Sequence, residues 1–193
     1  MLFCTALVIC CQVIAQQSIR DEYHAFTVYR TTKGNGDDIK KINALLSRKN
    51  ELSVKQVANA EYHLGRMYEE IGDDNNALAH YNESLKREPN YTVIHRAVGF
   101  IYLNKTKPFV KQMNEASSAK NATANAKAFD SYKLMVKKAL PHLEKYQACE
   151  PDEQTLAIIL NLYKSIKEPQ TAEAITNRIK PLGKTCVTLL DDE

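Results

Sequence analysis

Apolar residues recur along most of the chain at helical spacing. Tyr23, Phe26, Val28 and Tyr29 predict the buried positions of a first helix over residues 18–30, which Thr31-Thr32-Lys33-Gly34-Asn35-Gly36 breaks. Asp37 or Asp38 caps a second helix with the stripe Ile39, Ile42, Leu45 and Leu46, so the two predict an antiparallel pair. Ser53 suits the N-cap of a third helix over 54–71, and Gly72 suits the left-handed residue that ends it.

Beyond residue 58 the pattern repeats. Leu64-Gly65 and Tyr68 return as Val98-Gly99 and Tyr102, each 34 residues later. The first copy continues with Ala77, Tyr81 and Ser84 on one side of a further helix, and Pro89 closes it. In the second copy the corresponding Ala139, Leu143 and Pro151 trail by 62 residues, one repeat plus an insertion of 28 between about 104 and 132. Lys105-Thr106-Lys107-Pro108 reads as a break, while the Ala-, Asn- and Lys-rich stretch 116–128 extends the helix backwards. The expectation is a long helix over 122–149, bent at Pro141. A degenerate third unit follows, with helices over 155–166 and 170–179; Leu160 replaces the small residue, Tyr163 keeps its place, and Ala172 anchors the second helix. Pro181-Leu182-Gly183 ends it, and Lys184 to Glu193 is a tail free to fray.

On Leu64, Gly65, Tyr68, Gly72, Ala77, Tyr81, Ser84 and Pro89 the chain resembles the tetratricopeptide repeat family. The resemblance implies an all-α fold, a short right-handed superhelix of antiparallel helix pairs (a TPR-like α-solenoid). Leu64, Gly65, Tyr68, Gly72, Ala77, Tyr81, Pro89, Gly99, Tyr102, Ala139, Leu143 and Pro151 would form its repeat core. The organisation expected is a cleaved signal peptide at 1–15, capping helices at 16–57, repeats with their insertion at 58–181 and a tail at 182–193. The resemblance further implies a concave groove lined by Asn59, Tyr62, Arg66 and Glu69 in the first unit and by Val93, Arg96 and Phe100 in the second. Such a groove takes another protein or a peptide and performs no covalent chemistry, and the chain resembles the small exported tetratricopeptide proteins of Gram-negative bacteria. The second reading is self-association into a homodimer or extracytoplasmic assembly, through an exposed apolar end such as Ile158-Ile159-Leu160.

Composition narrows the alternatives. The 6 Gly and 6 Pro in 193 residues leave little for the turns of a β-sandwich. A net charge of +3 with lysines interleaved among acids, as from Glu51 to Lys55, argues against a nucleic-acid partner. Residues 1–17 carry no charge, and the apolar run 2–14 ends in Val13-Ile14-Ala15, which predicts export and cleavage after Ala15. A run this short falls under the about 20 apolar residues a membrane-spanning helix needs, so no stable membrane insertion is expected after cleavage. A retained or lipidated anchor is the alternative, although Ile9 before Cys10 is bulky for a lipidation signal. The location expected is therefore extracytoplasmic, periplasmic first and secreted second. Cleavage would leave Cys149 and Cys186, which an oxidising compartment permits to pair; the alternative is two small apolar fillers.

Familiar catalytic and ligand-binding spacings do not stand out. None of His24, His63, His80, His95 and His142 has a partner four residues away, so each reads as structural or exposed, with no metal and no cofactor expected. Gly34-Asn35-Gly36 is a turn rather than a phosphate loop, and Asp73-Asp74-Asn75-Asn76 a helix cap rather than a calcium loop. The sequons at Asn82, Asn90, Asn104 and Asn121 would be glycan acceptors in a eukaryotic secreted chain, but chance in an Asn-rich helical bacterial chain is the preferred reading.

Overall fold

Ser18 adopts an extended backbone and its hydroxyl accepts the Asp21 N–H, so the first helix starts where a polar cap precedes an apolar stripe. The computed structural model describes residues 18–31, 36–188 and 190; the expected signal segment and residues 32–35 of the first break lie outside these. Helices α1 (Ile19–Tyr29) and α2 (Gly36–Ser47) lead to α3 (Val54–Glu70). Tyr23, Phe26, Ile42, Leu45 and Leu46 are buried together with Val57, Ala60, Leu64 and Met67. Val28, expected inside, is 71% exposed, because two residues beyond Phe26 is roughly 200° around a helix.

Ser53 and Gln56 form a reciprocal capping box at the start of α3, and Gly72 ends that segment with φ +81°. The Asp73 carboxylate accepts the Asn76 N–H at 3.1 Å and starts α4 (Asp74–Leu85), so this acidic run is a helix cap. A Cβ at Gly65 would lie 2.7 Å from the Tyr81 ring, which is how closely α3 and α4 approach. The same contact recurs between α5 (Thr92–Asn104) and the long α7 (Ala122–Cys149), where a Cβ at Gly99 would lie 2.7 Å from the Leu143 side chain. Two helix pairs are thus closed by one device, although one partner arrives after 16 residues and the other after 44.

The helix over 122–149 forms as its composition predicts and continues through Pro141. The insertion before it differs from expectation in two places. Pro108 does not sit in a break but in the first turn of α6 (Lys107–Ser118), where its missing N–H has no intrahelical acceptor to lose. Residues 116–128 are not one backward extension: Lys120 turns the chain with φ +51°, and the Asn121 side chain accepts the Ala124 N–H to begin α7. Helix α6 folds back along the first half of α7, a contact in which Ala116 and Ala128 are buried.

Helices α8 (Glu153–Ser165) and α9 (Ala172–Ile179) complete a third cluster in which Val136, Leu140 and Leu143 pack on Ile159, Leu162, Ile166, Ile175 and Ile179. The tail, expected to fray, is held in place as far as it is described. After a 3-10 turn at Lys180–Thr185, Val187 donates to the Asn90 carbonyl at 2.9 Å and accepts the Thr92 N–H at 2.8 Å. Leu190 is buried beside Ala58, Ala77 and Tyr91. Cys149 and Cys186 form a disulfide with Cα atoms 5.6 Å apart. Among the described residues the protein is all-helical apart from the single Tyr91–Val187 bridge, and no helix is long and apolar enough to cross a membrane.

Candidate functional site

The seven residues assigned to a groove separate into two groups once α1 is in place. Asn59 is buried, and its amide donates to the Tyr23 hydroxyl at 3.2 Å. Arg66 donates to the Arg30 carbonyl at 2.7 Å and pairs with Glu70. Glu69 accepts the Tyr81 hydroxyl at 2.6 Å. Tyr62 packs its ring 5.0 Å from that of Tyr91 and 4.7 Å from His63. The first-unit groove residues therefore join α3 to α1, α4 and the start of α5, because the capping helix covers the face that sequence spacing leaves open. Val93 packs partly buried against the second core.

Arg96 and Phe100 have the other fate. They line an open cleft of about 570 Å³ where α5, the end of α7 and the start of α8 meet, together with Tyr146, Asp152, Thr155 and Ile158. The Arg96 guanidinium lies 5.2 Å from the Phe100 ring centroid and 5.9 Å from that of Tyr146. It makes no hydrogen bond to another described residue and lines the cleft between the two rings, so its N–H donors are available to a ligand there. Across from it, Asp152 caps α8 by accepting the Thr155 N–H at 2.8 Å. The Thr155 hydrogen bonds, with a smaller contribution from Arg96, hold the Asp152 carboxyl below the usual carboxylate range. The cleft thus offers a cation braced by aromatic rings, an apolar wall from Phe100 and Ile158, and an ionised rim.

Other polar residues come together without forming an open site. Lys145 is buried, and its ammonium donates to Asn90 Oδ1 at 3.0 Å, to the Leu182 carbonyl at 2.8 Å and to the Thr185 hydroxyl at 3.1 Å, pinning the C-terminal turn. The Tyr163 hydroxyl donates to Glu144 at 2.7 Å and is pushed up to about 12, chiefly by burial. The run Ile158–Leu160, considered as an exposed end, is packed against the third core, with Ile159 fully buried. Charge is less evenly spread than the interleaving suggests, since residues 105–138 hold eight lysines and two carboxylates.

Sequence reasoning missed one pair of titratable residues. His95 of α5 and His142 of α7 bring their Nδ1 atoms to 3.1 Å, and His95 Nε2 lies 2.9 Å from the Pro89 carbonyl. The signal was indirect: His142 precedes Leu143, and His95 is one turn before Gly99, but the insertion obscured their register. Burial, and then the field of His95, press His142 down to about 4. Burial also lowers His95, with Lys145 acting in the same direction and the Pro89 hydrogen bond opposing it. Because the folded value of His142 lies below its ordinary 6.5, the unfolded chain takes up the proton first as pH falls. Stability is expected to hold above pH 6.5 and to fall by up to about 3 kcal/mol on acidification towards pH 4, a slope that His142→Gln flattens in urea titrations.

No protein-family model, curated protein or solved structure matches this chain.

Proposed function

We propose that this chain is a non-enzymatic scaffold of tetratricopeptide type that binds a peptide or another protein in the α5–α7–α8 cleft. The observation that carries the reading is the contrast between its two groove arginines. Arg66 is consumed by Arg30 and Glu70, whereas Arg96 is braced by Phe100 and Tyr146 with its donors still to be satisfied. A ligand suited to that arrangement supplies a carboxylate or backbone carbonyls to the guanidinium and an apolar side chain to Phe100 and Ile158. The repeated Gly65–Tyr81 and Gly99–Leu143 contacts support a repeat superhelix whose helix-A faces provide the surface. The uncharged N-terminal stretch and the Cys149–Cys186 disulfide support an oxidising, extracytoplasmic location.

The test is crosslinking and affinity capture from the extracytoplasmic fraction, followed by affinity measurement on the recovered ligand. Arg96→Glu is expected to weaken binding by at least about tenfold while leaving the helical spectrum unchanged. A ligand bound equally well by wild type and variant would place recognition outside this cleft.

A further inference from the structure

The His95–His142 pair lies apart from the cleft contacts and requires its own explanation. A carbonyl oxygen only accepts, so the 2.9 Å contact with Pro89 places the His95 hydrogen on Nε2. The Nδ1 of neutral His95 is then a bare lone pair, and it faces His142 Nδ1 at 3.1 Å. An imidazole whose far N–H is anchored on a backbone carbonyl, freeing the other nitrogen, is the arrangement that orients metal-ligating histidines. We propose that His95 and His142 form a two-imidazole site for a divalent late transition metal, with Cu²⁺ the preferred ion and water completing the coordination.

The geometry suits this assignment. An ion about 2.0–2.1 Å from both nitrogens would subtend roughly 100° between them at the observed separation, within the range of cis positions in tetragonal and tetrahedral complexes. Neither residue is fully buried. No third His, Cys, Asp or Glu joins the pair among the described residues, so the site is an open one held by two protein ligands. The α5–α7 packing at Gly99 and Leu143 fixes the spacing of the two histidines before any ion arrives. Near neutral pH the exchange is balanced without net proton release: the hydrogen that His142 Nδ1 donates to His95 moves to His142 Nε2 as the metal takes both Nδ1 lone pairs. Lys145 opposes a second cation near His95, but its ammonium is held by Asn90, Leu182 and Thr185. Two neutral ligands and a nearby ammonium suit micromolar rather than nanomolar affinity, with Cu²⁺ ahead of Ni²⁺ and Zn²⁺ by the usual divalent order.

The experiment uses the untagged, disulfide-intact chain with Cys4, Cys10 and Cys11 alkylated, stripped by chelator and titrated with Cu²⁺ alone. One ion per chain is expected, with an electron paramagnetic resonance spectrum showing two imidazole nitrogens and a rise in melting temperature. His95→Asn and His142→Asn should each weaken binding by at least about thirtyfold, whereas the triple variant His24→Asn/His63→Asn/His80→Asn should keep the two-nitrogen spectrum. Should a His142 variant fail to fold, the wild-type spectrum and stoichiometry still decide the matter. A single-nitrogen spectrum, no saturable binding, or binding unchanged in the His95 and His142 variants would overturn the proposal and leave the pair as a plain N–H···N hydrogen bond.

Discussion

Replacing Tyr81 by alanine is expected to destabilise the protein by about 3–5 kcal/mol, because it empties the space that joins α3 to α4. The ring is 1% exposed and lies against Gly65 so closely that no side-chain atom fits between them. Around it are Tyr62 and a second core that includes Ala58, Ala77, Ile94 and Val98. These neighbours sit on three helices, so the cavity cannot collapse by moving one side chain. The hydroxyl adds a polar component by donating to Glu69 at 2.6 Å. Tyr81→Phe isolates that component and should cost about 1–2 kcal/mol, mostly for a carboxylate that loses its donor. Denaturant titrations of the two variants separate the contributions. A Tyr81→Ala loss below about 1 kcal/mol would mean that this ring does not close the helix pair.

Breaking the Cys149–Cys186 bond is expected to cost about 3–4 kcal/mol, since it opens a loop closed over a separation of 37 residues. The effect should be greatest at the C-terminal strap. There the disulfide acts beside the Lys145 ammonium, the Thr185 hydroxyl donating to Asn90 at 2.8 Å and the Tyr91–Val187 bridge. With the covalent tie gone these contacts must hold residues 180–188 alone. Hydrogen exchange should therefore quicken first at Val187 and Thr92, whose N–H groups make the bridge, before the Ile159 and Ile175 core loosens. Equal melting temperatures for oxidised protein and the Cys149→Ser/Cys186→Ser variant would show that the strap is held by its polar contacts alone.

The Tyr81 and strap predictions differ in how far they were readable beforehand. Gly65 and Tyr81 stand out as small and large positions of a 34-residue repeat, although that the Tyr81 ring lies directly against Gly65 is seen only in the folded chain. The same arithmetic, carried over the insertion, matched Leu143 to Tyr81, and composition put the start of the long helix at about Ala122; that Leu143 lies against Gly99 emerged only in the folded chain. The strap was not readable. Its anchors Asn90, Lys145 and Thr185 are polar residues with no periodicity, and the burial of Lys145 depends on acceptors from Asn90 and, on a distant turn, from Leu182 and Thr185. The turn at Lys120 was hidden for a different reason, since Ala-rich sequence on both sides favours helix regardless of where the chain reverses.

The groove residues show the same division within one candidate surface. Register on Gly65 and Gly99 grouped Asn59, Arg66 and Arg96 on one helix face, because a side chain's direction on a helix is a local property of 3.6 residues per turn. Whether that face meets solvent or another helix is not local. Helix α1 brings Tyr23 and Arg30 onto Asn59 and Arg66, while the start of α8 leaves Arg96 beside an open cleft. The His95–His142 contact likewise needs two helices, separated by an insertion, to close in one register. Sequence by itself therefore determined most helices, the Ser53 cap and the 34-residue recurrence of Gly65 and Gly99, which follow from short-range periodicity, whereas α2 starts at Gly36, ahead of the expected Asp37 or Asp38 cap, and α6 was not foreseen. Only the tertiary structure decided which polar residues were consumed, which stayed available and which met, because those outcomes depend on what packs against each face.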